Sequence, residues 1–175
     1  MDKTDILSII KKRRSIRAFT SEEIPREHVD QLVEALRWAP SAGNRQPWHF
    51  FMITNPEVKK ELASAAFGQS FIAEAPLVFV ICAEPDQSAR RYGKRGHDMY
   101  VYQDTAAATQ NLLLTATALG YGTCWVGAFD PRKVADVLKL PKDRVPVTII
   151  PVGKAAESPG PTPRYPKEKT VTHLE

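Results

Sequence analysis

Apolar positions along the chain change period several times, and each change marks an element. Residues 5–13 carry Ile6, Leu7, Ile9 and Ile10 at helical spacing, with Thr4 or Asp2 placed to cap the first turn. Residues 15–19 read as extended. Val29, Leu32, Val33 and Leu36 keep to one helical face and predict an amphipathic helix over 28–38, entered through Pro25. Residues 48–54, rich in aromatic and β-branched side chains, predict a strand. Asn55 followed by Pro56 opens a third helix, to about residue 66.

Residues 76–83 (PLVFVICA) are a continuous apolar run whose length and β-branching predict a strand covered on both faces. The polar stretch 85–97 (PDQSARRYGKRGH) is expected to be a mobile loop. A long helix over 98–119 follows, ending at Gly120, a residue favoured just past a helix C-terminus. Its middle is nearly all small or apolar, so it belongs in a core or at a subunit interface. Residues 123–129 (TCWVGAF) predict a short strand or turn, Asp130-Pro131 a helix to about 138, and 145–152 the last strand, with Pro146 and Pro151 near its ends. The segment 154–175 contains Pro159, Pro161, Pro163 and Pro166 and predicts an extended tail lying over a surface or a partner. Strands alternating with helices give a mixed α/β (α+β type) three-layer fold in one domain, residues 1–175. No strand runs into a glycine-rich phosphate turn, so a nucleotide-like ligand would have to bind by other means.

Composition narrows the function classes. The chain is 43% hydrophobic and 25% charged, the balance of a globular protein. It has no apolar run of membrane-spanning length, and its first residues lack the apolar core of a signal peptide, so a cytoplasmic, membrane-free location is expected. Cys82 and Cys124 lie in apolar runs and read as buried thiols. His28, His49, His97 and His173 fit no zinc spacing, and no metal site is expected. The net charge of +4 hints at an anionic partner without choosing one.

Two stretches carry candidate chemistry. Residues 11–17 (KKRRSIR) place five cations in seven residues where a helix passes into an extended segment. The pattern suits a solvated helix end, or a phosphate site built from arginine forks and a serine hydroxyl. Nucleic acid would call for a broader basic stripe or aromatic platforms, which the sequence lacks. The join "APSAGNRQPWHFF" (39–51) is longer and richer in amides and hydroxyls than an ordinary turn, so its polar groups either cap the helix before it or line a ligand.

Taken together, "RRSIRAF" (13–19), "APSAGNRQPWHFF" (39–51), "DTAAATQNLLLTATALG" (104–120), "GYGTCWVGAF" (120–129) and "IIPVGK" (149–154) resemble the FMN-dependent nitroreductase family over nearly the whole chain. The resemblance implies a sandwich with a central, mostly antiparallel mixed sheet, and a homodimer with FMN at the subunit interface and the tail packed on the dimer. It places Arg13, Arg14 and Ser15 on the FMN phosphate and ribityl chain, joined by Arg164 and more loosely by Lys167. It places Arg17 beside the ring edge that gains negative charge on reduction. Pro40, Ser41, Ala42, Gly43, Asn44 and Gln46 would line the flavin of the other subunit. Backbone N–H groups at Val126 and Gly127 would approach the hydride-accepting N5, and Gln69 would meet the flavin edge. Trp48 and Trp125 are expected in the core or at the interface rather than in the chemistry. The implied activity is NAD(P)H-dependent, ping-pong reduction of a nitroaromatic, quinone or similar small acceptor. A reductive dehalogenase and a non-catalytic FMN carrier or sensor are the alternatives.

Overall fold

The structure is a computed structural model and describes residues 5–174. Four strands form one sheet in the order β1-β2-β4-β3: β1 (Trp48–Ile53), β2 (Leu77–Ala83), β3 (Gly122–Thr123) and β4 (Val145–Gly153). All three pairings are antiparallel; among the described residues the parallel contribution is a lone bridge between Ser15 and Thr123. β2 is buried at every position, as its unbroken apolar run requires. Its odd positions, Leu77, Phe79 and Ile81, face α2 (Arg26–Arg37) and α6 (Val101–Ala118). Its even positions, Val78, Val80 and Cys82, face α3 (Pro56–Ala65), α4 (Phe71–Glu74) and α7 (Pro131–Val137). The result is the expected three layers, with a core on each side of the sheet. Each fully buried large side chain, such as Phe79 or Leu112, contributes roughly 1.5–3 kcal/mol.

The caps explain the helix boundaries. Asn55 Oδ1 accepts from the N–H groups of Glu57 and Val58, and Asp130 Oδ1 from those of Arg132 and Lys133. Gly120, at φ +80°, closes α6 while the Tyr121 N–H returns to the Ala116 carbonyl. Asp5 caps α1 (Ile6–Lys12) through the Leu7 N–H; the caps expected at Thr4 and Asp2 lie outside the described residues. On β4, Pro146 stands opposite Cys82 and Pro151 opposite Val78, with a bulge where the register shifts between Ile81 and Cys82.

Several expectations are corrected. The stretch 85–97 is not a loop. It forms α5 (Pro85–Arg95) and enters a π-helical turn (Gly96–Tyr100) that runs straight into α6. Pro85 occupies the first turn and Ser88 is the buried face, too small and polar to register in an apolar periodicity. Only glycine fits at 96, because a Cβ there would lie 2.6 Å from the Ser88 carbonyl oxygen. The short α4 went unpredicted, since four residues carry no period. In the 123–129 run only Thr123 belongs to a strand, and Val126 makes a single bridge to Ile149. Trp48 packs against the core, whereas Trp125 is 42% exposed within one chain and belongs to neither core cluster, which corrects the core half of its expected placement and leaves the interface half untouched.

Two regions stay uncovered within one chain. Helix α1 buries no residue, and Ile6, Leu7 and Ile10 are exposed. The tail is stitched at its base by Thr20 N–H to the Lys154 carbonyl and Ala156 N–H to the Ala18 carbonyl. From Ala155 to Leu174 it is exposed.

Candidate functional site

The arginine segment is laid against β3. The Ile16 N–H donates to the Thr123 carbonyl at 2.8 Å, next to the Ser15–Thr123 bridge. The approach is close enough that a Cβ at Gly122 would sit 2.7 Å from Ile16 Cγ1. This docking gathers Ser15, Arg13 and Arg17 around Cys124. Burial pushes the Cys124 thiol up; the Arg17 charge, a hydrogen bond with Ser15 and the Arg13 charge oppose the rise. Among the described residues no carboxylate lies within 4.0 Å of the Arg13 or Arg17 guanidinium. Glu157 also reaches this region, accepting the Arg17 backbone N–H and adding a smaller upward push on the Cys124 thiol. Arg14 differs: its Nη1 donates to the Lys11 and Arg13 carbonyls and so caps the end of α1. Arg164 bonds only to the carbonyls of Thr162 and Pro163, its own neighbours in the tail.

Three residues on from β3 the chain reaches the remaining candidates. Val126 is buried and exchanges both backbone hydrogen bonds with Ile149. Gly127 is exposed, and a Cβ there would meet only Trp125 Nε1, at 4.0 Å. The Gln69 amide donates to the carbonyls of Ala66 and Ala128, both at 2.9 Å, and so clamps the segment beside Gly127. Thr123 Oγ1 is buried without a partner.

The 40–46 loop is built from its own polar groups. Ser41 accepts the Asn44 N–H on its carbonyl and the Gln46 N–H on Oγ, and the Gln46 amide reaches Asn44 Oδ1 at 3.2 Å. Gly43, Asn44 and Gln46 all have φ between 51° and 55°. Two non-glycine residues in the left-handed region within four positions is a local cost met by the surroundings. Those surroundings are α5 and α6. Gln87 Nε2 donates to the Arg45 and Gln46 carbonyls, the Tyr92 hydroxyl and Arg91 guanidinium lie against Gly43, and the Ala42 N–H donates to Asp104 Oδ1 at 3.0 Å. Pro40 is exposed at the loop's start. Among the described residues none of the loop's hydrogen bonds runs to the 13–17 segment.

Asp104 is the residue that sequence reasoning missed. It is 7% exposed, and its Oδ2 has no partner. Burial pushes its carboxyl up, and the Ala42 N–H partly offsets this. The signal was present: Asp104 is the only charged residue between Asp98 and Asp130.

The donor set suits a flavin mononucleotide. Two guanidinium groups without carboxylate partners gather with the Ser15 hydroxyl at Cys124, and three residues further along the chain Gly127 is exposed with nothing nearer than 4.0 Å to its Cβ position. The first is a donor set for an anion, and the second is backbone that a flat ring can approach.

The comparisons agree with this reading of the fold. The sequence profile described as the nitroreductase family matches residues 10–70 and 63–154. A protein of Archaeoglobus fulgidus provisionally named an NADH dehydrogenase/NAD(P)H nitroreductase is 37% identical over 155 residues, covering 85% of this chain and 84% of its own. An FMN reductase [NAD(P)H] of Bacillus subtilis is 29% identical, covering 98% of this chain and 74% of its own. Among solved structures, a nitroreductase of B. subtilis superposes with a TM-score of 0.89 at 28% identity, over 98% of this chain and 74% of that one. The chain belongs to the nitroreductase family. It is an enzyme of the oxidoreductase class.

Proposed function

We propose that the protein is an FMN-dependent oxidoreductase that takes electrons from NAD(P)H and delivers them to a nitroaromatic, a quinone or a similar electron-poor small molecule. The supporting observation is the docking of residues 13–17 on β3, which gathers Arg13, Ser15 and Arg17 around Cys124, three residues before the exposed backbone at Gly127. FMN, when bound, would supply the hydride-accepting atom and the redox chemistry, so no side-chain nucleophile is needed. Arg13 and Ser15 hold the phosphate and ribityl chain, with Arg14 contributing what its capping bonds leave free. Arg17 stands at the ring edge that gains negative charge and favours its reduction. Gly127 would present backbone to the ring, Val126 would anchor that backbone through the two hydrogen bonds it exchanges with Ile149, and Gln69 would fix it in place.

The second half-site, residues 40–46, serves the flavin of a partner copy. The bare apolar face of α1 and the exposed tail, with Tyr165, Val171 and Leu174 uncovered, support a homodimer. Arg164 and Lys167 reach a phosphate only in that assembly. An absorption spectrum of the purified protein, followed anaerobically with NADH and then NADPH, tests the reading. Bleaching of an oxidised-flavin band, reversed by a nitroaromatic or quinone, is expected. A colourless protein that takes up no FMN sinks it, and a flavin that never bleaches marks a carrier.

A further inference from the structure

The helix α5 carries Arg90, Arg91, Lys94 and Arg95, four cations in six residues, in a stretch that the sequence reads as a solvated loop with Arg95, beside Tyr92, His97 and Tyr100, a candidate substrate contact. Of these, Lys94 is paired with Asp98, which also meets His97. Among the described residues no carboxylate lies within 4.0 Å of Arg90, Arg91 or Arg95. Two of the three, Arg91 and Arg95, lie against aromatic rings. Arg91 lies 5.5 Å from the Tyr92 ring centre, Tyr92 meets Tyr100 edge to face at 5.2 Å, and Arg95 lies 5.3 Å from the Tyr100 ring. Arg95 Nε also donates to the Tyr100 hydroxyl at 2.8 Å.

This ladder is made by the backbone. In a continuous α-helix, residues eight apart are separated by about 12 Å along the axis. Gly93 breaks α5 with φ +55° and ψ −142°, and the π-helical turn after it brings Tyr100 back beside Tyr92. The ladder starts at the 40–46 loop, because a Cβ on Gly43 would sit 2.4 Å from the Tyr92 hydroxyl and 3.3 Å from the Arg91 guanidinium carbon. A surface of alternating guanidinium groups and rings, with the one carboxylate of the turn, Asp98, taken up by Lys94 and His97, is complementary to a ligand that combines several phosphate charges with flat heterocycles.

The geometry points to this ladder as the docking surface for the phosphate-bearing half of the nicotinamide donor, selecting NADPH over NADH. The assignment rests on the reading that residues 40–46 line a flavin cleft. Three unpaired arginines exceed what a monoanionic acceptor would use, and a third phosphate group on the donor gives the surplus charge a partner.

The test is anaerobic reduction of the flavin-loaded protein by each donor. The parent should reduce with kcat/KM about tenfold or more higher for NADPH, as expected for one charge-assisted phosphate contact. Added salt should raise the KM for NADPH more than that for NADH. The Arg91→Ala, Arg95→Ala double variant should bring the ratio close to one, through KM rather than kcat. If that variant fails to fold, Gly93→Ala tests the same geometry with every charge retained, because alanine disfavours the left-handed turn; it too should lower the ratio. A parent that reduces equally well with both donors, or a variant that keeps the parental ratio, overturns the proposal. So does a double variant that loses turnover only with carboxylated quinones, which would assign the ladder to the acceptor. A protein that neither donor bleaches fails the oxidoreductase reading itself, a distinct result.

Discussion

Gly122 and Gly127 lie five residues apart in one segment and make opposite predictions. At Gly122 an added methyl would fall 2.7–2.9 Å from three carbons of the buried Ile16 side chain. Ile16 is β-branched and cannot swing away without shifting its backbone. Overpacking of this kind costs about 1–3 kcal/mol, and losing the Ile16 N–H bond to Thr123 about 0.5–1.5 kcal/mol more. Gly122→Ala should therefore destabilise the fold by about 2–4 kcal/mol and loosen the arginine segment with it. At Gly127 the nearest atom to an added methyl is Trp125 Nε1 at 4.0 Å, and the backbone is not left-handed. Alanine there restricts the unfolded chain and should raise stability by about 0.4–1 kcal/mol. Nothing inside the chain requires glycine at 127, so its requirement, if any, comes from a ligand. A methyl forced into a ring-to-backbone contact costs about 1–3 kcal/mol, which is roughly ten- to hundredfold in flavin affinity or hydride-transfer rate. Denaturant midpoints of the flavin-stripped variants, set beside anaerobic reduction rates of the loaded ones, separate the two effects. A Gly127→Ala protein that is stable and reduces at the parental rate would refute the assignment of this backbone to the flavin ring.

Further outcomes follow from the same geometry. Arg13→Ala and Arg17→Ala should each weaken FMN retention by about tenfold or more, the size of a lost charge-assisted contact, measured by flavin titration; parental affinity and reduction in both would place the phosphate elsewhere. Asp104→Ala leaves the Ala42 N–H unpaired and should cost about 1–2 kcal/mol. Because burial raises the Asp104 carboxyl above 3.8, its contribution to stability is full below that value and is lost as pH rises through the folded one. Asp104→Asn keeps the acceptor and should remove that slope from the stability–pH curve. Burial, helped by Arg144, holds His49 below 6.5, so its contribution is full above pH 6.5 and is lost as pH falls through the lower folded value. His49→Gln should flatten that acid limb, read from denaturant midpoints across the range.

The sequence carried the layered architecture well because the signals were strong and local. The Leu77–Ala83 run, the Asn55 and Asp130 caps and Gly120 each reflect a physical requirement that one stretch of chain must meet alone. Region 85–97 failed for the complementary reason. Its helix buries little beyond Ser88 and is interrupted at Gly93, so no apolar period was available to read. The site was legible only in parts. The motif residues could be named, but not that Gln69 would hold the Gly127 segment, nor that Arg14 would fold back onto α1. Such partnerships depend on contacts between distant segments, which no local pattern encodes. Asp104 shows the limit most clearly: a lone charge in an apolar helix was visible, but its partner, a backbone N–H 62 residues away, was not.

The bulge on β4 bears on which insertions and deletions this chain tolerates. Because β2 is apolar at every position and covered on both faces, polarity cannot distinguish one alignment of β2 and β4 from the next. The two prolines can, since neither ring nitrogen has a hydrogen to donate. Pro146 and Pro151 are five residues apart, an odd spacing that would turn them toward opposite edges of a regular strand. Their partners Cys82 and Val78 are four apart, an even spacing, and the extra residue taken up at the bulge reconciles the two. Removing one residue from 147–150 would erase the bulge and point one proline at a carbonyl it cannot satisfy. A paired change, such as loss of that residue together with replacement of Pro146, is the route by which a shortened strand could remain aligned.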